Sequence, residues 1–231
     1  MAALSHAPPE ALRLDTDGAQ LMRAALDPTT LRELIDVLAE QPADQAGVRL
    51  FGVAGLDAFV GPHGVVGALA ASAMCAPAQP VRAVLFDKTA SINWALAWRQ
   101  DRVVAVRERV EAEGFGPWSR KHGALHVAPP FEVLSAMRTL RVHLDPVPET
   151  NAPLLIAPGS HAFGRISERD VPSVVEKCGV ITCLAEAGDV WGYGTPILHA
   201  SERAKSPARR RVLQVDYAVD ELPGGLRWLG V

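Results

Sequence analysis

Apolar and polar positions divide this chain into a helical first third and a strand-rich remainder. Asp27-Pro28-Thr29-Thr30 offers an N-cap followed by proline at the first helical position, and Leu31, Leu34, Ile35 and Leu38 then recur on one face, predicting a helix that runs to about Glu40. A polar connector, Gln41 to Gln45, leads to a short helical turn at Gly55–Val60 and a second, largely buried helix at Gly64–Cys75. Ahead of them, residues 1–20 hold Pro8-Pro9 and no sustained period, as a loosely held arm would.

After Pro77 and Pro80 the texture changes to short runs of Val, Leu and aromatics separated by Gly, Pro and charged turns, the pattern of an all-β sandwich or barrel. Strands are predicted at Arg82–Phe86, Trp94–Trp98, Val103–Arg107, Leu125–Val127, Thr139–Leu144, Leu154–Ala157, Val180–Leu184, Val190–Tyr193 and Arg211–Tyr217. Two helices interrupt them: Pro130–Arg138, and Ser167–Lys177 with Ser167-Glu168-Arg169-Asp170 as a capping-box variant. No parallel βαβ alternation is present and no G-x-G-x-x-G opens a helix, which argues against a dinucleotide-binding fold. The expected architecture is one structural unit, a helical N-terminal region over residues 1–80 packed on an antiparallel β domain over residues 81–231, and the mouth of such a barrel is a usual place for a small-molecule pocket.

Composition narrows the partners. With 48% hydrophobic and 21% charged residues and a net charge of -3, nothing points to nucleic acid or to an anionic membrane. The most apolar stretch, Val65 to Ala76, is too short to span a bilayer, and the N-terminus has neither the basic nor the apolar region of a secretory signal. Cys75, Cys178 and Cys183 form no C-x-x-C pair and are odd in number, so a reducing compartment, the cytoplasm, is the expectation.

Candidate chemistry gathers around the stretch from Asn93 to Asp101. On an extended strand Arg99 and Asp101, two apart, face the same way. Asp101 ends an aromatic strand and His199 ends the apolar run Thr195–His199; a carboxylate and an imidazole on neighbouring inward strands are two of the three ligands of a facial Fe(II) triad. Taken alone, such a pair is more often a turn aspartate and a core histidine. Downstream, Arg210 within Arg209-Arg210-Arg211 offers the planar fork that binds a carboxylate with two hydrogen bonds, and Ser201 would add a hydroxyl; the other two arginines read as a solvated strand edge.

Ten motifs in register give the chain a more specific likeness. They are Leu85-Phe86-Asp87-Lys88-Thr89, Asn93-Trp94, Trp98-x-Gln100-Asp101, Gly114-Phe115-Gly116-Pro117-Trp118, His126-x-x-Pro129-Pro130, Leu140-Arg141-x-His143-Leu144-Asp145, Ala157-Pro158-Gly159-Ser160-His161, Ala187-Gly188-Asp189-Val190, Leu198-His199-Ala200-Ser201 and Arg210-Arg211-Val212-Leu213. From about residue 50 to Trp228 the chain resembles bacterial members of the phytanoyl-CoA dioxygenase family, Fe(II)/2-oxoglutarate-dependent oxygenases with a double-stranded β-helix (jelly-roll, cupin-like) core flanked by helices.

The resemblance implies Fe(II) and 2-oxoglutarate as cofactors, Asp101 and His199 as metal ligands, and Arg210 as the clamp on the distal carboxylate of 2-oxoglutarate. It further implies Ser201, Lys88 and Asn93 as co-substrate contacts, with His126, Arg141 and Trp98 around a small-molecule substrate. His143 and His161 read as structural, and His122 with His126 is not a separate metal pair.

One position departs from the family pattern. Where it has His-x-Asp, this chain has Arg99-Gln100-Asp101. Arginine stays protonated, has no lone pair to donate, and repels a metal by about 4 kcal/mol per unit of metal charge at close range. Three geometries are open: Arg99 paired with Asp101, Arg99 on a ligand carboxylate, or Arg99 turned out of the cavity. Two functions follow, an oxygenase hydroxylating a small organic substrate at a degenerate iron site, or a catalytically silent or repurposed member binding a small carboxylate or a protein partner.

Overall fold

The strand-rich part forms two facing antiparallel sheets. The computed structural model describes residues 8–43, 45–121 and 123–231, so residues 1–7 of the expected arm, Asp44 of the connector and His122 lie outside the described residues. Thirteen strands occur among the described residues: β1 (Ala19–Met22), β2 (Val48–Leu50), β3 (Gln79–Lys88), β4 (Leu96–Arg99), β5 (Val104–Val106), β6 (Trp118–Lys121), β7 (Ala124–Val127), β8 (Arg138–His143), β9 (Leu154–Ile156), β10 (Ile181–Cys183), β11 (Val190–Gly194), β12 (His199–Ser201) and β13 (Arg210–Ala218). A six-stranded sheet runs β1-β11-β8-β13-β3-β2, a four-stranded sheet β10-β9-β12-β4, and a small third sheet β5-β7-β6.

The helices are α1 (Pro28–Val37), α2 (Asp57–Val60), α3 (Val65–Met74), α4 (Phe131–Ala136) and α5 (Val171–Cys178). Asp27 caps α1 as its sequence suggests: Oδ1 accepts from the Thr29 and Thr30 amides at 2.9 and 3.2 Å, with Pro28 in the first turn where no donor is needed.

Four expectations need correction. The supposed arm is tied down at its end, because β1 pairs along its whole length with β11. Gly188 makes this possible: at φ +89° its bare Cα faces the Leu26 carbonyl, which a Cβ would meet at 2.6 Å, and next to it Asp189 accepts from the Ala24 amide and from Arg23. The helix placed at Pro130–Arg138 stops at Ala136, since Met137 is extended and Arg138 opens β8. The Ser167 hydroxyl caps no helix but donates to Asp170 at 2.6 Å in the turn before α5, whose first turn contains Pro172. The N-terminal region is also not purely helical, as it supplies both edge strands of the large sheet.

Alternation along the large sheet separates two environments. Ala83, Leu85, Leu140, Val142, Leu213, Val215 and Tyr217 face outward and form one core with Leu34 of α1, Val60 of α2 and Val66 and Ala70 of α3. The Tyr217 hydroxyl donates to the Val60 carbonyl at 2.8 Å, so the largest ring on this face keeps its polar end satisfied. Between the sheets, Leu21, Leu154, Ile156, Ile181, Trp191 and Tyr193 fill the end nearest β1 and β10. The other end, bounded by β3, β13, β12 and β4, remains open as a cavity.

All three cysteines are free, with Cys183 buried. Among the described residues no helix is long and apolar enough to cross a membrane.

Candidate active site

A cavity of about 580 Å³ opens between the two sheets, within the size range of small-molecule pockets. Its floor follows from strand pairing. On β3, Arg82, Val84, Phe86 and Lys88 share the inner face; on β13, Arg210, Gln214 and Asp216 do, in register with Lys88 opposite Arg210 and Val84 opposite Gln214. β8 adds Arg141, paired with Gln214. From the facing sheet β12 brings His199 and Ser201, and β4 brings Arg99 directly opposite His199.

Among the described residues, the inner end holds three basic side chains without a carboxylate. Lys88, 2% exposed, donates from Nζ to the Trp94 carbonyl at 2.7 Å, the Glu202 carbonyl at 3.1 Å and the Ser201 hydroxyl at 3.3 Å. Its ammonium also lies 4.7 Å from the centroid of the Trp94 ring. Arg210, 3% exposed, donates through Nη1 to the Ala152 carbonyl, which Ser201 also contacts, and its Nε has no partner among the described residues. The Arg141 Nη1 donates to Gln214 at 2.7 Å, leaving its Nε equally bare. Burial, then the neighbouring Arg210 and Arg141, push Lys88 down to about 7; burial, then Arg141, push Arg210 down to about 9. His143, buried beside the same two arginines, is pushed to about 3 and is neutral.

The neighbours of Arg210 sharpen the contrast. Arg209 pairs with Asp87 at 3.0 Å and Arg211 with Asp145 at 2.7 Å, both on the opposite side of β13. Only the arginine that points inward lacks an acid among the described residues.

The mouth end is arranged differently. Gln100, buried, donates to the Gly164 and Pro196 carbonyls and accepts from the Ile166 amide. This anchors the chain beyond β4 and leaves Arg99 and Asp101 on its cavity side. Asp101 pairs with Arg82 at 3.2 Å, and Arg82 also binds Asp216 through Nε. So the partner of Asp101 is Arg82, not Arg99 as one of the three expected geometries had it. Burial raises the Asp101 carboxyl, but Arg82, His199 and Arg99 outweigh it and hold the group below its ordinary value, ionised. Burial works against the Arg82 charge as well, yet Asp216 and Asp101 overcome it and raise its pKa.

His199 has a defined tautomer. Its Nδ1 lies 3.0 Å from the Ile197 carbonyl, an acceptor only, so Nδ1 carries the proton and Nε2 the lone pair. Burial lowers the pKa of the ring in spite of Asp101 and that carbonyl.

The residues present do not fit a three-ligand metal site. Asp101 and His199 both line the cavity, yet among the described residues no three His, Cys, Asp or Glu side chains come together to hold an ion. A guanidinium stands opposite the imidazole, and a second one already occupies a carboxylate oxygen of Asp101. The inner end, by contrast, fits an organic anion: its donors are buried, convergent and uncompensated.

Three predicted pocket residues are placed elsewhere. Asn93 clasps the backbone of Ala204, donating to its carbonyl at 3.0 Å and accepting from its amide at 2.8 Å, which closes the loop after β12. Trp98 packs against Ala157, Ile166, Val171 and Leu198 and lines a separate groove beside α5. His126 is wholly buried in the third sheet, its Nδ1 3.0 Å from the Ala124 carbonyl and its pKa pushed down to about 4 by burial. Conversely, sequence reading passed over Arg82, Asp216, Arg49 and Lys121 at the mouth and the Ala152 carbonyl at the inner end. Alternation from Lys88 back to Arg82 and from Arg210 on to Asp216 carries that signal for two of them.

Comparison with known proteins agrees with this architecture. The model of the phytanoyl-CoA dioxygenase (PhyH) family matches residues 14–212. No curated protein matches the chain. Among solved structures, AviO1 from Streptomyces viridochromogenes Tue57 is 18% identical with a TM-score of 0.64, covering 91% of this chain and 94% of its own. HygX from Streptomyces hygroscopicus, solved with nickel and 2-oxoglutarate bound, is 13% identical with a TM-score of 0.61, covering 89% of this chain and 84% of its own. The epimerase SnoN, in complex with Fe3+, alpha ketoglutarate and nogalamycin RO, is 18% identical with a TM-score of 0.56, covering 92% and 88%. At these identities the likeness shows a shared jelly-roll fold.

Proposed function

The chain belongs to the phytanoyl-CoA dioxygenase family of Fe(II)/2-oxoglutarate-dependent oxygenases, and on that premise we propose that its cavity binds a dicarboxylate of the 2-oxoglutarate type beside an incomplete metal corner. The observation that carries this reading is the trio Lys88, Arg141 and Arg210, buried on neutral acceptors with no acid of their own among the described residues. A dicarboxylate would supply the missing charge. Arg210 would take its distal carboxylate through the fork edge that Nε leaves bare, Lys88 and Ser201 would add a donor each, and Arg141 would close the charge balance from β8.

When bound, iron in this family supplies the oxidising chemistry that hydroxylates a small organic substrate. Here Asp101 and His199 are the two side chains able to serve it: the first is ionised, and the second presents its Nε2 lone pair because the Ile197 carbonyl fixes the proton on Nδ1. Residues of this chain otherwise position and neutralise. Ala152 holds Arg210, Gln214 holds Arg141, and Gln100 holds the backbone between Arg99 and Asp101.

Titrating 2-oxoglutarate into chelator-treated protein tests the reading. One-to-one binding, lost in the Arg210→Met, Lys88→Met double variant, supports it; absence of binding to the unaltered chain sinks it.

A second reading, a silent or repurposed member that keeps the carboxylate site without iron redox chemistry, is favoured by the Arg82–Asp101 ion pair and by Arg99 standing opposite His199. Succinate release in the presence of Fe(II), oxygen and ascorbate separates the two. Release that scales with bound iron supports the oxygenase; none across a panel of small organic substrates supports the silent member.

A further inference from the structure

A second set of cations lines the same cavity and has no place in the dicarboxylate site. Arg49 on β2 stands opposite Val84 of β3, so its side chain enters from the edge of the inner face while Val48 and Leu50 turn toward the helices. Its Nε and Nη1 are buried and have no hydrogen-bond partner among the described residues. Lys121 arrives from β6 of the third sheet and Arg99 from β4 of the facing sheet. These groups sense one another. Burial, then Arg82, lowers the pKa of Arg49 against the opposing pull of Asp216 and Asp101, and burial, then Arg99, lowers that of Lys121 against Asp101, with Arg49 and Arg82 adding to the lowering.

Among the described residues, the only carboxylate lining this cavity is Asp101, and Arg82 already holds its Oδ2. Three strands from three sheets therefore bring like charges together at an open mouth, Arg49 half-buried and Arg99 and Lys121 exposed, and an anion would relieve their mutual repulsion. A cleft lined by one sign of charge also concentrates ligands of the other sign.

We infer that Arg49, Arg99 and Lys121 form a second anion site at the cavity mouth, which takes the carboxylate or phosphate group of a small organic substrate while the inner cations hold the dicarboxylate. This assignment rests on the dicarboxylate reading of the inner end. It makes Arg49 and Lys121 determinants of substrate class, and it gives Arg99 a role in holding substrate in place of holding metal.

The test uses the full chain in chelator with 2-oxoglutarate at saturation, titrated by calorimetry with inorganic phosphate in one arm and acetate in the other. Binding of either anion on top of 2-oxoglutarate is expected, weakened roughly tenfold by Arg49→Met and by Lys121→Met and retained in Arg49→Lys. Stronger binding of phosphate assigns a phosphate ester, and stronger binding of acetate a carboxylic acid. One-for-one displacement of the added anion by 2-oxoglutarate, or equal binding by Arg49→Met with an unaltered melting curve, overturns the mouth site. Should 2-oxoglutarate not bind at all while phosphate still binds through Arg49, the inner reading fails and the mouth site stands.

Discussion

On β13, Leu213, Val215 and Tyr217 point one way and Arg210, Gln214 and Asp216 the other. The first set meets three helices and leaves no polar atom unanswered, since even the Tyr217 hydroxyl has the Val60 carbonyl. The second set faces a cavity in which two arginines keep bare Nε atoms and a lysine sits among carbonyls. A single strand thus contributes to a finished core on one side and to an unfinished electrostatic arrangement on the other. Side chains that build the core and side chains that line the cavity are here kept apart by the two-residue period of the strand.

If that division is right, the two faces respond oppositely to substitution. Leu213→Ala, which opens a cavity in the outer core, is expected to cost about 2–5 kcal/mol in urea denaturation while the folded fraction keeps its 2-oxoglutarate affinity. A cost below about 1 kcal/mol would place the stabilising core elsewhere.

Arg210→Met is expected to weaken 2-oxoglutarate binding about a hundredfold and to leave the melting temperature level or higher, because an unpaired buried charge is removed. A large drop in melting temperature would mean that Arg210 stabilises the fold, and the contrast between the faces would collapse.

Lys88 adds a pH dependence with a definite sign. Its ammonium is held at about 7 in the free protein against an ordinary 10.5. The free fold therefore carries the burden of a buried cation below about pH 7, and its stability rises between that point and 10.5 as the folded chain gives up the proton first. A dicarboxylate raises the pKa of Lys88, so binding takes up a proton just above pH 7 and affinity declines as pH increases from there. Calorimetry in buffers of different ionisation enthalpy reads the proton uptake; Lys88→Met should abolish it, and uptake persisting in that variant would assign it to another group.

The smallest expected change lies away from both faces. Asp27→Ala removes the cap of α1 and should lower stability by about 1 kcal/mol with no change in binding. A binding defect there would tie the helical layer to the site.

Much of the fold was legible because strands and helices leave local signals. The period of α1, its Asp27-Pro28 start and most strands of the sandwich were readable from spacing alone. β1, β2 and β6 were missed, and β12 was anticipated only as an inward strand reached at His199: each has only three or four residues, and pairing with distant strands, not propensity, makes them extended. The metal corner was legible in its anomaly, Arg99 before Asp101, but not in its resolution. Nothing local to Asp101 announces Arg82, which reaches it from a separate strand, and nothing local to Asn93 announces the Ala204 backbone it clasps.

The proposed site keeps a dicarboxylate half and lacks one ligand of a metal half. Calorimetric titration of 2-oxoglutarate in chelator and again with Mn(II), for the unaltered chain and for Arg99→His, tests this directly. One equivalent is expected to bind under both conditions to the unaltered chain, with affinities within about threefold, and a gain of tenfold or more on adding Mn(II) is expected only in Arg99→His. Binding by the unaltered chain that requires Mn(II) would contradict this reading.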